Sequence, residues 1–280
     1  MRSIISSPMS SVAILEDRAV IAVSGPEARD FLQGLVTNDL RSLAQTKPLY
    51  AALLTPQGKV LFDFLLIEQD GGIMLDCAAA IAEPLTKRLQ MYRLRSKVTI
   101  DRRADLGVVA FWDGSETSTG DIDPRLAALG RRSIVPRGRI DKQAGGTELY
   151  LAHRLKCGVP DGNEFGQDRM FALDADLDEL HGISFEKGCY VGQELTARMK
   201  HRGTARKRLL PVSTLDGGRL PDQDVPVLAG AHEIGSLVSS YGSSGFALVR
   251  LDRLAEWAQS ATLQIEAQPV RIIRPPWLSA

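Results

Sequence analysis

The chain has 280 residues, 44% of them hydrophobic and 24% charged, a length that exceeds the roughly 100 to 150 residues of a typical single domain and implies two or three domains. Its 34 basic side chains balance 34 acidic ones, which excludes a global field that would draw it to nucleic acid or to an anionic membrane. Three widely spaced cysteines, Cys77, Cys157 and Cys189, form no CxxC pair, which excludes a disulfide framework and a zinc-finger-type site and fits a reducing compartment.

Residues 1–17 lack a continuous apolar run of the secretory type. No stretch reaches the roughly 18 to 20 apolar residues of a membrane span, since residues 60–67 are broken by Asp63. The expectation is a soluble, monomeric, intracellular protein with no membrane partner, cytoplasmic or, in a eukaryote, in the mitochondrial matrix.

In chain order, residues 18–23 read as a strand. Ser24-Gly25-Pro26-Glu27 then signals a helix start with Ser24 as the cap, followed by an apolar stripe of Ala28, Phe31, Leu32 and Leu35. Residues 49–54 and 60–67 flank the turn Pro56-Gln57-Gly58-Lys59, and Asp70-Gly71-Gly72 leads into a third strand at 73–77. A helix over 83–94 places Leu85, Leu89 and Tyr92 on one side, and strands follow at 98–100 and 106–111. The Gly-, Ser-, Thr- and Asp-rich segment 113–123 reads as a surface loop, and 131–146 as irregular chain. Residues 147–157 have helical spacing and end at Gly158-Val159-Pro160. Beyond Arg208, short apolar segments separated by Gly, Pro, Asp and Ser suggest a small all-β module beginning near Lys207. The fold class is therefore α+β followed by all-β.

The richest segment is Gly182-Ile183-Ser184-Phe185-Glu186-Lys187-Gly188-Cys189-Tyr190-Val191-Gly192-Gln193-Glu194. It places Cys189 at a turn just ahead of a helix start and near the Lys187 ammonium, both of which stabilise a thiolate. The alternative for Cys189 is a small core residue, because free cysteines are often buried. Gly188 and Gly192 allow close backbone approach to a ligand, while Gln193 and Glu194 either contact that ligand or cap the helix. Asp63 interrupts an apolar strand, where a carboxylate is costly unless paired or facing a wet cleft; the alternative is an outward-facing position on a half-exposed strand.

Arg198, Lys200, Arg202, Arg206, Lys207 and Arg208 form a basic run that reads as a solvated surface, an anion site for a polyanionic tail, or an RNA contact. No interleaved aromatic run accompanies it, which argues against RNA and nucleic acid generally. The four histidines show no HxH or HExxH spacing, so no stable metal is expected.

The run Lys187-Gly188-Cys189-Tyr190-Val191-Gly192-Gln193-Glu194 resembles the K-G-C-[aromatic]-x-G-Q-E signature of the YgfZ family, folate-binding relatives of the glycine cleavage T-protein associated with iron–sulfur protein assembly and repair. The stretch Ser24-Gly25 through Phe31-Leu32-Gln33-Gly34-Leu35-Val36-Thr37-Asn38-Asp39 is similar to the family's N-terminal pattern, Pro56-Gln57-Gly58-Lys59 with Asp63 matches its hairpin, and residues 158–162 and 182–210 look like its mitochondrial branch.

The resemblance implies a three-domain T-protein-like ring of two ferredoxin-like α+β modules and a C-terminal β-barrel. The divisions expected are 1–48 with 145–206, 49–144, and 207–280. It implies tetrahydrofolate or a derivative as ligand and transient iron–sulfur client or assembly proteins as partners. It also implies Cys189 and Asp63 as reactive residues, with Lys187, Gly188, Tyr190, Gly192, Gln193, Glu194, Arg198 and Arg202 as ligand contacts. Two other readings stand beside it: a tetrahydrofolate-dependent aminomethyl or methyl transferase using Asp63, and an RNA-binding module working through residues 198–208. Lys156-Cys157-Gly158 replaces the Glu-Ala-Gly of T-proteins, and a lysine cannot accept the N–H donors of a pterin edge.

Overall fold

The computed structural model describes residues 11–112, 120–140, 144–203, 206–257 and 261–279. Strands β1 (Val12–Ile14) and β2 (Arg18–Ser24) precede helix α1 (Ala28–Gln33). Strands β3 (Leu49–Leu54), β4 (Val60–Gln69) and β5 (Gly72–Ala78) lead to helix α2 (Ala79–Arg93), followed by β6 (Thr99–Arg102), β7 (Leu106–Phe111), β8 (Asp121–Ile122) and β9 (Arg131–Pro136). Helices α3 (Thr147–Cys157), α4 (Gly162–Phe165) and α5 (Gln193–His201) come next. The chain closes with β10 (Lys207–Thr214), β11 (Pro226–Ala229), β12 (His232–Tyr241), β13 (Ser244–Arg250), α6 (Leu251–Trp257), β14 (Leu263–Ile265) and β15 (Gln268–Ile272). Among the described residues no helix is long and apolar enough to cross a membrane.

The strands form an antiparallel five-stranded sheet in the order β3-β4-β5-β2-β6, a four-stranded sheet in the order β1-β7-β9-β8, and a closed barrel β10-β13-β12-β11-β14-β15. The five-stranded sheet is covered on both faces, which is why β3 and β5 are buried along their whole length. Alternation along the strands still sorts the two faces. Ile21, Leu53, Phe64 and Leu75 pack with α1 and α2 in one core. Val20, Tyr50, Leu65 and Met74 face a second core shared with the four-stranded sheet, α3 and residues 170–190. A third core fills the barrel around Val227, Leu237, Phe246's neighbour Ala247 and Ile265.

The fold class agrees with the sequence reading, and the barrel begins at Lys207. Several local expectations change. The five-stranded sheet runs across the division expected between residues 48 and 49, because β2 pairs with β5 along seven residues. The cap of α1 is Glu27 rather than Ser24, whose hydroxyl instead meets Thr99 at 2.7 Å. Residues 131–136, expected to be irregular, form β9. Its first two residues are arginines, and Arg132 turns inward to buried carboxylates, a partnership invisible to local periodicity. The loop expected at 113–123 lies mostly outside the described residues, and its last part is the short strand β8.

Candidate functional site

On the inner face of the five-stranded sheet, odd positions of β4 and even positions of β2 and β5 bring Asp63, Arg18 and Asp76 together. Arg18 Nε donates to Asp76 Oδ1 at 2.6 Å, and Arg132 Nη1 donates to Asp76 Oδ2 at 2.8 Å from the neighbouring sheet. Arg132 Nε also reaches Asp123 at 3.0 Å, and Asp123 holds Arg125 at 2.8 Å. On the α3–α4 side, Arg154 forks onto Glu164 at 2.9 and 2.7 Å, and Tyr241 of the barrel donates to the same carboxylate at 2.8 Å. This buried ionic lattice has two parts, one tying the two sheets to α3 through Tyr150 and the other tying α3 and α4 to the barrel.

Asp63 belongs to this lattice and not to an open cleft. It is only 2% exposed, its Oδ2 accepts the Tyr50 hydroxyl at 3.2 Å, and a Cβ at Gly162 would collide with its Oδ1. The small cavity of about 60 Å³ lined by Arg18, Arg132, Arg154 and Asp161 does not include Asp63 in its wall and holds little more than solvent. Burial, then the like charge of Asp161, raises the Asp63 carboxyl to about 6, against the pull of Arg18 and Arg125. Burial works the same way on Asp123, but Arg125 and Arg132 outweigh it and hold that carboxyl below its usual range.

A raised carboxyl binds its proton more tightly in the folded chain. Stability is therefore gained as pH falls through 6 toward 4, and the ionised form is a burden at pH 7. Asp63→Asn, which mimics the protonated group, is expected to be about 2–3 kcal/mol more stable than wild type at pH 7. The gap should close near pH 4, as read by urea unfolding at both pH values.

Residues 181–192 are stitched to the turn after α1. Thr37 Oγ1 donates to the Gly182 carbonyl at 2.6 Å, and Ser184 N donates to the Thr37 carbonyl at 3.0 Å. Lys187 is 4% exposed and its ammonium donates to the carbonyls of Gln33, Val36 and Asn38 at 2.7, 2.6 and 2.8 Å. It thus satisfies carbonyls left open where α1 ends. Burial, opposed by the Asp39 charge, lowers the Lys187 ammonium to about 8. This ammonium points inward and ties the segment to the end of α1, with the Tyr190 ring 5.1 Å away.

Gly192 has φ +82°, and a Cβ there would lie 2.5 Å from the Thr55 carbonyl oxygen, so close packing on the β3–β4 turn requires glycine. It also caps α5 and has no side chain to accept a hydrogen bond, while Glu194 places its carboxylate in the first turn, where the helix dipole favours it. Between the anchors Lys187 and Tyr190, both buried, Gly188 and Cys189 are exposed. A Cβ at Gly188 would meet no atom of this chain within 4 Å.

Of the other thiols, Cys77 is fully buried, and burial pushes it up to about 12. Cys157 is half-buried at the end of α3, with the His153 ring nitrogen 3.7 Å from its sulfur. Arg198 and Arg202 are exposed on α5 and its end, whereas Lys200 pairs with Asp178 at 3.0 Å and Arg208 with Asp178 at 2.9 Å, so the basic run is partly neutralised. Among the described residues no group of three or more His, Cys, Asp and Glu side chains could hold a metal ion.

A separate cavity of about 670 Å³ opens on the other side of α3. Leu149, Ala152, His153 and Lys156 form one wall, and Trp112 and Trp277 close it. His153 stacks on Trp112 with ring centroids 5.0 Å apart, and Trp277 Nε1 donates to the Cys157 carbonyl at 3.0 Å. Neither Asp63 nor any of residues 187–194 lines it. Sequence reasoning missed this cavity and most of the ionic lattice. Asp76, a carboxylate inside an apolar strand, carried the same signal as Asp63.

Residues 206–280 match the family model for the CAF17 C-terminal beta-barrel domain. The iron–sulfur cluster assembly factor IBA57, mitochondrial, of Mus musculus is 32% identical over 97% of this chain and 87% of its own length. The Homo sapiens protein of that name is 33% identical over 86% of this chain and 77% of its own length. Among solved structures, the glycine cleavage system aminomethyltransferase T from Bartonella henselae aligns with a TM-score of 0.73 at 15% identity, covering 96% of this chain and 87% of that one, a likeness of fold. With Cys189 exposed on a T-protein-like fold, these matches show that the chain belongs to the IBA57 family of iron–sulfur cluster assembly factors.

Proposed function

We propose that this protein assists the maturation of iron–sulfur proteins by presenting the Cys189 sulfur to a cluster shared with a transient partner. The observation that carries the reading is an exposed thiol held between two buried anchors, Lys187 and Tyr190, next to a glycine whose missing side chain no atom of this chain requires. A cluster is typically held by about four protein ligands, mostly thiolates. One accessible cysteine supplies one of them, and the other ligands come from the assembly or client protein. The cluster is cargo here. In a eukaryotic cell the relatives' names point to the mitochondrion as the compartment.

The second part of the proposal concerns reduced folate. The 670 Å³ cavity has the volume of a drug-sized ligand site, and its Trp112, His153 and Trp277 rings suit a planar heteroaromatic ligand. Lys156 at its rim suits the carboxylates of a glutamate tail. Among the described residues no carboxylate lines it to accept the donors of a pterin edge, and Asp63 is buried elsewhere and is not among its lining residues. Folate is therefore proposed as a bound ligand, and aminomethyl transfer through Asp63 is not part of the reading. An RNA role is disfavoured by the internal pairing of Lys200 and Arg208.

Complementation tests both parts. In a strain lacking its own family member, the wild-type chain should restore iron–sulfur enzyme activity. Ala152→Trp, which fills the cavity, should fail to restore it and should lose the quenching of protein fluorescence by tetrahydrofolate. Failure of the wild-type chain would overturn the cluster reading, and full restoration by the cavity-filled variant would overturn the folate part.

A further inference from the structure

On the far edge of the five-stranded sheet, α2 ends in a tip unlike the rest of the surface. Ala82, Leu85 and Leu89 bury the inner face of this helix, while Met91 in its last turn and Leu94, the residue that ends it, both stand in solvent. They are 69% and 86% exposed, the two most exposed large hydrophobic side chains among the described residues. Leu94 has φ +42°, a region that disfavours a branched side chain and suits glycine. The fold thus keeps a leucine, strained and in water, at a position where it contributes nothing to the core.

Arg93, Arg95 and Lys97 surround this pair, all exposed and in no ion pair among the described residues. The one carboxylate drawn into the turn is Glu27, which accepts the backbone N–H of Lys97 at 3.0 Å. A basin of about 400 Å³ runs between the three cations and Gly25, large enough for a phosphate headgroup. An apolar tip inside a cationic collar is complementary to an anionic lipid surface: the aliphatic chains enter the acyl boundary while the cations meet phosphates.

We propose that residues 91–97 dock this protein peripherally on anionic membranes, in a way independent of Cys189 and of the cavity beside α3. The overall charge balance supplies no long-range attraction, so binding is local, weak and sensitive to salt. Each basic residue near such a surface strengthens partitioning roughly fivefold, giving on the order of a hundredfold for the three together.

Co-sedimentation of the full chain with phosphatidylcholine vesicles, with and without roughly 30% phosphatidylserine, provides the test. Binding is expected only to the anionic vesicles and should weaken with added salt. Met91→Glu with Leu94→Glu, and separately Arg93→Glu with Arg95→Glu, should each abolish it. All four side chains are exposed, so thermal melts should match wild type and exclude misfolding as the cause. No binding to anionic vesicles, equal binding to neutral ones, or binding retained by either double variant would overturn the proposal. So would loss of the exposed tip to self-association, seen as a dimer by light scattering that the Met91→Glu, Leu94→Glu variant dissolves.

Discussion

Cys189→Ser is expected to abolish restoration of iron–sulfur enzyme activity in the complementing strain while leaving the fold intact. The side chain is exposed, its neighbour Gly188 meets no surrounding atom, and the segment is held by Lys187 and Tyr190. Replacing one sulfur by oxygen at such a site should change stability by on the order of 1 kcal/mol or less. A hydroxyl is nevertheless a poor ligand for iron beside a thiolate. Cys77→Ser and Cys157→Ser should restore activity to the extent that they fold. A serine variant at 189 that restores activity fully would show that the thiol is dispensable.

Arg132→Met is expected to produce the largest loss of stability. Its guanidinium is buried and binds Asp76, Asp123 and the Tyr150 hydroxyl, linking strands of two different sheets. Removing it leaves two buried carboxylates short of a partner, for which the usual cost is about 3–5 kcal/mol. Asp76 keeps Arg18 and Asp123 keeps Arg125, so the effect should fall near the lower end. That corresponds to a fall in melting temperature of roughly 6–10 °C. The exposed neighbour Arg131 provides the control, since Arg131→Met should stay within about 0.5 kcal/mol of wild type. A melting temperature for Arg132→Met equal to that of the control would show that the lattice contributes nothing net.

These residues also mark where the sequence was legible. Strands such as β3, β4, β5 and β10 stand out because each buries a run of apolar side chains between turn residues, and α3 was read to the residue because Gly158, at φ +69°, ends it. The Cys189 segment was legible as a motif. What was hidden depends on partners far along the chain. β9 opens with two arginines and looks like loop until Arg132 meets Asp76, 56 residues away. Lys187 looks like a tuning ammonium for Cys189 until it reaches three carbonyls about 150 residues earlier. Asp63 was correctly singled out as a carboxylate needing an explanation, and the explanation in this fold is burial in a shared ionic lattice. The cavity beside α3 draws its walls from four separate stretches, with Trp112 and Trp277 far apart in the chain, so no local pattern announces it.

The most direct measurement of the proposed role is the alkylation rate of each thiol in the wild-type chain, alone and mixed with a cluster-loaded assembly protein, read by mass spectrometry. In the free chain Cys189 should react first and the buried Cys77 last. On mixing, protection should appear at Cys189 and vanish when the cluster is removed by a chelator, while Cys77 and Cys157 keep their rates. An unchanged rate at Cys189 in the presence of the cluster-loaded partner would contradict the account.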